Sequence, residues 1–195
     1  MSRKAKVVRE TTETTIRLEM NLDQTAGSRI ATTIPFFDHM LELFARHALV
    51  KLVVQSKGDT HVDDHHLVED LGICLGKAVA QALKSKTGIN RYGSACVPMD
   101  ETLCRVDMDI SGRPYLVYNV KNDRRKIGGF DPTLVKEFFK AFTDQSGITL
   151  HINLLYGGNS HHIIEAVFKA FARAFREAVS FNQRIEGVLS TKGKL

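Results

Sequence analysis

The chain contains one structural unit twice, and this repetition constrains its fold more than any other feature. Residues 13–22 and residues 101–110 align position by position, and both segments carry apolar side chains at every second place. Such alternation predicts a half-buried β-strand in each copy. In both copies the strand is followed by a turn, more extended chain, a helix, a second strand and a longer helix.

Prolines and apolar spacing place the helices of both copies. Pro35 and Pro132 stand near the starts of the two shorter helices, where a missing backbone N–H is harmless. The pattern predicts short helices at 36–45 and 133–143, strands at 49–55 and 148–155, and long helices at 64–84 and 160–181. Because the copies meet near residues 86–94, we expect a first α+β repeat over residues 1–88 and a second, with a C-terminal tail, over residues 89–195.

The repeated order of elements also predicts the fold class. Strands that are apolar on one side need a layer of helices to cover that side. We therefore expect an α+β fold of two pseudo-symmetric half-domains from an internal duplication, each a mixed β-sheet covered on one face by two helices. The apolar stripes of the long helices are expected to be core: Leu67, Val68, Leu71, Leu75 and Val79, and Ile163, Ile164, Val167, Phe168, Phe171 and Phe175.

Both long helices open on the same phrase, His-His-x-x-Glu. It is carried by His65, His66 and Glu69 in the first copy and by His161, His162 and Glu165 in the second. On a helix the Glu shares a face with both imidazoles, whereas the two histidines diverge by roughly 100° and so favour two different ions. The phrase predicts a two-metal site. The alternative is that Asp64 and Ser160 simply cap the helices and that the histidines are ordinary surface residues.

Two further residues could serve as metal ligands. His39 lies in the first short helix, and the residue that aligns with it in the second copy is Glu137. The alternative for each is an exposed polar residue on an amphipathic helix. Imidazole and carboxylate donors without a thiolate suit Mn²⁺, Fe²⁺, Zn²⁺ or Ni²⁺ and do not select among them.

Composition and charge restrict the partners. With 43% hydrophobic residues the chain can bury a core, and its net charge of +5 raises the possibility of nucleic-acid binding. The basic residues are spread thinly, however, with small clusters at 124–126 and at Lys192 and Lys194 and no aromatic platform between them. We expect no nucleic acid and no membrane as partners. Three scattered cysteines and the lack of an apolar leader favour a reducing, cytoplasmic location.

Five spaced motifs resemble one enzyme family. They are Phe-Phe-Asp-His-Met-Leu at 36–41, Asp-Asp-His-His at 63–66, Gly-Ile-Asn-Arg-Tyr-Gly at 88–93, Ser-Gly-Arg-Pro-Tyr at 111–115, and the segment 159–171 that contains the second doublet. Together they resemble imidazoleglycerol-phosphate dehydratase in its monofunctional form, over about residues 8–192. The resemblance implies a metal-dependent carbon–oxygen lyase that converts D-erythro-imidazole-glycerol phosphate to imidazole-acetol phosphate in histidine biosynthesis.

The resemblance also implies a cofactor, an assembly and a set of site residues. The cofactor would be Mn²⁺, two ions per active site, and the assembly a large homo-oligomer with active sites shared between subunits. The implied metal ligands are His39, His65, His66, Glu69, Glu137, His161, His162 and Glu165, although some family members have His at the position of Glu137. The implied catalytic residues are Glu13, Glu165 and His47. The implied substrate contacts are Glu13, His39, His47, His65, Glu69, Arg91, Arg113, His161, Lys169, Ser190, Thr191 and Lys192.

The chemistry of the substrate agrees with such a site. The hydrogen to be removed is on a carbon that bears a hydroxyl and has no carbonyl neighbour. Its removal therefore cannot be assisted by formation of an enolate. Metal ions on both ring nitrogens would stabilise an imidazolate, which can expel the hydroxyl on the carbon attached to the ring. A carboxylate would then take the C–H proton, and the resemblance assigns this role to Glu13.

Two other functions fit paired His and Glu ligands. A dinuclear metallohydrolase such as a phosphatase also uses two ions to activate water. A metal-binding shell protein without catalysis would need the same ligands. Release of inorganic phosphate without a ketone would favour the hydrolase, and tight metal uptake without turnover would favour the shell protein.

Overall fold

A computed structural model describes residues 2–122 and 126–195, so that Arg124 and Arg125 of the basic segment lie outside the described residues. The first half contains β1 (Lys4–Glu10), β2 (Thr14–Asn21), β3 (Arg29–Ala31), α1 (Pro35–Ala48), β4 (Lys51–Gly58) and α2 (His65–Leu83). The second half contains β5 (Tyr92–Met99), β6 (Thr102–Asp109), β7 (Tyr115–Asn119), α3 (Leu134–Ser146), β8 (Thr149–Tyr156) and α4 (Ser160–Val179).

The two halves share one sheet topology. The strand order is β1-β2-β4-β3 in the first sheet and β5-β6-β8-β7 in the second. In each sheet the first three strands in this order are antiparallel, and the last strand pairs in parallel with its neighbour. The α+β fold with two duplicated half-domains and mixed sheets, predicted from the repeat, is confirmed.

The strands β1 and β5 were not predicted, and their burial explains why. Val7 is the only buried residue of β1, and in β5 only Gly93 is buried, whereas the alternating Ala95, Val97 and Met99 are only partly buried. The short helices run farther than predicted, to Ala48 and Ser146. Each stops where the next residue takes a left-handed conformation, at Leu49 and at Gly147.

The helices of each half pack against helices of the other half, between the two sheets. Helix α2 covers the first sheet and packs along α3, whereas α4 covers the second sheet and packs along α1. The α2–α3 contact is very close, because a Cβ atom added to Gly72 or Gly76 would lie 2.4 or 2.5 Å from a backbone oxygen of α3. Helix α1 of the first half lies along α4 of the second half, with contacts that run from His161 to Phe175.

The core lies between this helix layer and the inner faces of the two sheets. All the residues predicted to form the apolar stripes of α2 and α4 are buried. Phenylalanine rings join the helices, with Phe37 against Phe138 and Phe44 against Phe171, both at centroid distances of 5.2 Å. Such packing fixes α1 relative to α4. In the described part of the chain, no helix combines the length and the apolar character that a membrane span requires.

Candidate active site

Three predicted ligands converge where α1 meets α4. Nε2 of His39 lies 2.8 Å from Oε1 of Glu165, and Nε2 of His161 lies 3.3 Å from the same oxygen. Their potential ligand atoms all lie within 4.8 Å of one another, and no other group of three such residues occurs in residues 2–122 and 126–195. The arrangement can hold a cation between two imidazoles and one carboxylate.

The local sequence fixes the start of each long helix. The side chain of Asn159 accepts hydrogen bonds from the backbone N–H groups of His161 and His162. In the first half Asp63 accepts one from the N–H of His65 at 2.8 Å. In each half the capping side chain is therefore the one two places before the doublet. Asp64 is the N-cap residue of α2 but its side chain makes no capping hydrogen bond, and the N-cap of α4 is Asn159, so capping by the side chains of Asp64 and Ser160 is wrong.

Glu165 is the anionic centre of this cluster. It is 7% exposed, and partial burial alone would raise its pKa. Hydrogen bonds from Lys169 at 2.6 Å and from His39 at 2.8 Å outweigh burial and lower the pKa to about 2. The carboxylate is therefore ionised at neutral pH and offsets the positive end of helix α4.

The two histidines of each doublet point in different directions. The planes of His161 and His162 are 86° apart, and those of His65 and His66 are 84° apart. Along each helix the first histidine approaches the Glu four residues later, at 3.3 Å for His161 and 3.6 Å for His65. The divergence expected from helical geometry is present, and it leaves the second histidine of each doublet to other partners.

Those other partners are carboxylates outside the helices. Nδ1 of His162 lies 2.7 Å from Oε2 of Glu101, and Nδ1 of His66 lies 3.0 Å from Oδ2 of Asp59. The hydrogen bond that His162 donates to Glu101 raises the pKa of His162, and the one that His66 donates to Asp59 raises the pKa of His66. Sequence reasoning missed both carboxylates. The alignment of residue 13 with residue 101 was a usable signal for Glu101, whereas Asp59 left none.

The other five predicted ligands do not join the cluster around His39. Among the residues that the structure describes, the group of three does not include His65, His66, Glu69, Glu137 or His162. Glu137 is half-buried in the first turn of α3, the helix that packs along α2. Its role as a ligand stays a prediction. Glu13 lies near the first doublet, with Oε2 at 3.8 Å from Nδ1 of His66.

Two predicted phosphate-binding arginines meet at Asp109. Arg91 donates to both carboxylate oxygens of Asp109, at 2.7 and 3.0 Å, and to the backbone oxygen of Leu189 at 2.8 Å. Arg113 approaches the same carboxylate at 3.6 Å but keeps 67% of its side chain exposed. Arg91 thus anchors the tail that carries Ser190, Thr191 and Lys192, while Arg113 has donors available to a ligand.

Lys169 lies beside Glu165, and its charge acts on His47. Nζ of Lys169 contacts Oε2 of Glu165 at 2.6 Å, so this predicted substrate cation is engaged with a predicted metal ligand. Partial burial lowers the pKa of His47, and the nearby charges of Lys169 and Arg173 lower it further. His47 therefore favours its neutral form beside several cations.

Comparison with known proteins gives one consistent result. A model of the family described as imidazoleglycerol-phosphate dehydratase matches residues 32–175. The imidazoleglycerol-phosphate dehydratase of Syntrophus aciditrophicus is 62% identical over 194 residues, which cover 99% of this chain and 98% of that protein. The Geobacter sulfurreducens protein of the same name is 56% identical over 195 residues and 100% of both chains.

Solved structures agree with the sequence comparisons. The crystal structure of imidazoleglycerol-phosphate dehydratase from Staphylococcus aureus matches with a TM-score of 0.84 and 41% identity, covering 92% of this chain and 99% of that one. The structure of IGPD from Pyrococcus furiosus, in complex with (S)-C348, matches with a TM-score of 0.84 and 38% identity, covering 97% and 100%.

Proposed function

The chain belongs to the imidazoleglycerol-phosphate dehydratase family, and from this premise we propose that it dehydrates imidazole-glycerol phosphate at a site that holds two divalent metal ions. The dehydratase activity places the chain among the lyases of histidine biosynthesis. The observation that supports a metal site is the convergence of His39, His161 and Glu165.

The donor atoms of this cluster fit a divalent transition metal. Two imidazoles and one carboxylate form a borderline-hard set, which suits Mn²⁺ and also accepts Fe²⁺, Zn²⁺ or Ni²⁺. Because the pKa of Glu165 is about 2, its carboxylate is already ionised at neutral pH, so a cation can bind there without displacing a proton. We propose Mn²⁺ as the native ion, with His162 and its counterpart His66 directed to a second ion.

Exposed residues of the first half are proposed to complete the site. His65 and Glu69 keep 42% and 47% of their side chains exposed, and those of His39 and His161 are 44% and 43% exposed. A transition metal needs at least four donors, more than the cluster supplies. We propose that the further ligands, with Glu137 as a provisional one, come from another copy of the chain in a homo-oligomer.

The residues of the chain would divide the reaction between them. The proposed ligands would hold two divalent ions, which would supply Lewis-acid stabilisation of the negative charge that develops on the substrate as the hydroxyl beside the ring leaves. Glu13 would take the proton from the carbon that bears the other hydroxyl, and the resulting enol would relax to the ketone. Its side chain is 52% exposed, which leaves it accessible to a substrate beside His66.

The phosphate end of the substrate is proposed to bind at the cations of the second half. Arg113 offers free donors, and Arg91 holds the tail with Ser190, Thr191 and Lys192 close by. Lys169 and a neutral His47 would contact the substrate near the metal. A guanidinium suits a phosphate because two of its N–H groups can bind two oxygens at once.

A direct assay tests the proposed function. The purified chain should contain bound metal, and imidazole-glycerol phosphate with Mn²⁺ should give a ketone without release of inorganic phosphate. Release of phosphate alone would instead support the dinuclear hydrolase. A cytoplasmic location is part of this proposal, supported by the role in amino-acid biosynthesis, and cell fractionation tests it.

Complementation tests the shared site. The variants His65→Ala and His161→Ala should each be inactive as pure proteins. If ligands come from different copies, mixing the two after dissociation should restore part of the activity, because some sites then receive only intact residues. Activity that stays absent in the mixture would argue for sites built within one chain.

A further inference from the structure

The equivalent residues Glu13 and Glu101 make different contacts in the two halves. Glu13 and Glu101 directly precede the equivalent strands β2 and β6, whose first residues, Thr14 and Thr102, are both buried. Yet Glu101 hydrogen-bonds Nδ1 of its neighbouring histidine at 2.7 Å, whereas Glu13 stays 3.8 Å from Nδ1 of His66. Glu101 is hydrogen-bonded to its histidine, whereas Glu13 makes only an ion-pair approach of 3.8 Å to His66.

The two halves also differ in the residue that follows an equivalent glycine at the end of the partner strand. Gly58 and Gly157 are equivalent, because a Cβ on either would meet the helix residue two places after the first histidine of the doublet, at 3.1 Å in both cases. The next residue is Asp59 in the first half and Gly158 in the second. Asp59 hydrogen-bonds His66, while Gly158 has no side chain with which to bind a histidine.

The backbone around these positions supports the equivalence. The N–H of Asp59 donates to the backbone oxygen of Glu13 at 3.1 Å. The N–H groups of Gly158 and Asn159 donate to Oε1 of Glu101, at 3.4 and 2.9 Å. In both halves the loop before the long helix is thus tied to the residue that precedes the inner strand.

We infer that Asp59 and Glu101 are positioning residues, which hold the Nδ1–H tautomer of His66 and His162 and leave Nε2 of each imidazole as the ligand atom. A carboxylate on the far nitrogen of a ligating histidine fixes both its tautomer and its ring orientation. Because Asp59 performs this task in the first half, Glu13 remains free to act on the substrate. In the second half, where Gly158 replaces Asp59, Glu101 takes over the task.

This inference rests on the proposed function, since it concerns two proposed ligands. It can be tested by removing the carboxylate at residue 101 and placing one at residue 158. Glu101→Ala should weaken Mn²⁺ binding by roughly 10–100-fold. Adding Gly158→Asp to that variant should recover most of the lost affinity, because it supplies the second half with the carboxylate of the first. A Cβ at Gly158 meets no atom within 4 Å, so the new side chain has room.

Matched controls distinguish the effect of the carboxylate's position from the effect of the protein's overall charge. Gly158→Ala in the Glu101→Ala background adds a side chain without a carboxylate and should recover nothing. Glu19→Gln removes a strand carboxylate that pairs with Lys6 on the surface, and it should leave Mn²⁺ affinity unchanged. Free Mn²⁺ can be measured by electron paramagnetic resonance, with circular dichroism to verify that each variant is folded.

A second measurement does not depend on metal. In the metal-free chain, ¹⁵N NMR of histidine side chains should show Nδ1–H tautomers for His66 and His162. Asp59→Ala should move only His66 toward the mixed tautomers of a free imidazole, and Glu101→Ala should move only His162. Unchanged tautomers together with unchanged Mn²⁺ affinity would overturn the inference. If the wild-type chain binds no Mn²⁺, the proposed function fails instead, and the tautomers still decide the positioning role.

Discussion

Nε2 of His39 lies 2.8 Å from Oε1 of Glu165, although the two residues are 126 positions apart in the chain. One belongs to α1 of the first half and the other to α4 of the second. The contact exists because α1 packs along the helix of the opposite half rather than only on its own sheet. The proposed metal centre therefore depends on the docking of the two halves, and several measurements can test it.

Removal of metal should abolish activity. With EDTA, turnover of imidazole-glycerol phosphate should fall to background and return when Mn²⁺ is added back. Dissociation of the assembly is expected as well, because ligands from different chains make metal binding contribute to assembly. Activity and sedimentation velocity would be followed on the same samples. Full activity in a chelated protein shown to be free of metal would contradict the two-metal mechanism.

Replacement of Glu13 should affect the chemical step. Glu13→Gln keeps the shape of the side chain but cannot accept a proton, so kcat should fall by roughly 10²–10⁴-fold. KM and Mn²⁺ content should change little. The control is Glu10→Gln at the end of β1, for which we expect wild-type kinetics. A small change in kcat for Glu13→Gln would assign the proton transfer to another residue.

Replacement of Arg113 should affect substrate binding. Loss of a charged hydrogen bond to phosphate costs about 1.5–3 kcal/mol, which corresponds to a rise in KM of roughly 10–100-fold for Arg113→Ala. Arg105→Ala is the matched control, because that guanidinium pairs with Asp107 on the surface of β6. Steady-state kinetics would show whether KM changes in the first variant alone, and an unchanged KM would exclude Arg113 from the substrate site.

The ionisation of Glu165 should make the metal-free protein sensitive to acid. The pKa in the fold is about 2, against an ordinary value of 4.5. A lowered pKa stabilises the fold above the unfolded value, so this contribution is present above pH 4.5 and is lost as the pH falls toward 2, at roughly 1.4 kcal/mol per pKa unit. Urea unfolding at pH 5, 4 and 3 in chelator should show a smaller loss of stability for Glu165→Gln than for wild type. Equal losses would refute this role.

The close contact between α2 and α3 should tolerate no added methyl group. In Gly76→Ala the new Cβ would lie 2.5 Å from the backbone oxygen of Phe142, so the helices must separate. We expect a loss of about 1–3 kcal/mol in unfolding free energy, in spite of the better helix propensity of alanine. Gly129→Ala, where a Cβ meets no atom within 4 Å, should change stability little. Denaturant midpoints that do not differ between the two variants would show that α2 and α3 can adjust.

The sequence by itself determined the duplicated plan of this protein and the kinds of residues at its site. Apolar periodicity is a local property, so it located the inner strands and the four helices of the described residues, and it showed that Glu69 and Glu165 share helix faces with their histidine doublets. Family motifs then identified the reaction. The strand β1 escaped this reasoning because Val7 is its only buried residue.

Only the tertiary structure decided which of these residues meet. Helical spacing cannot bring His39 to Glu165, because that contact requires the helices of one half to cross onto those of the other. Nor can it show that Glu101 binds His162 while Glu13 stays free, since the two carboxylates occupy the same place in the repeat. The difference arises from the loop residue Asp59 and its counterpart Gly158, whose effect depends on distances in space rather than on positions along the chain.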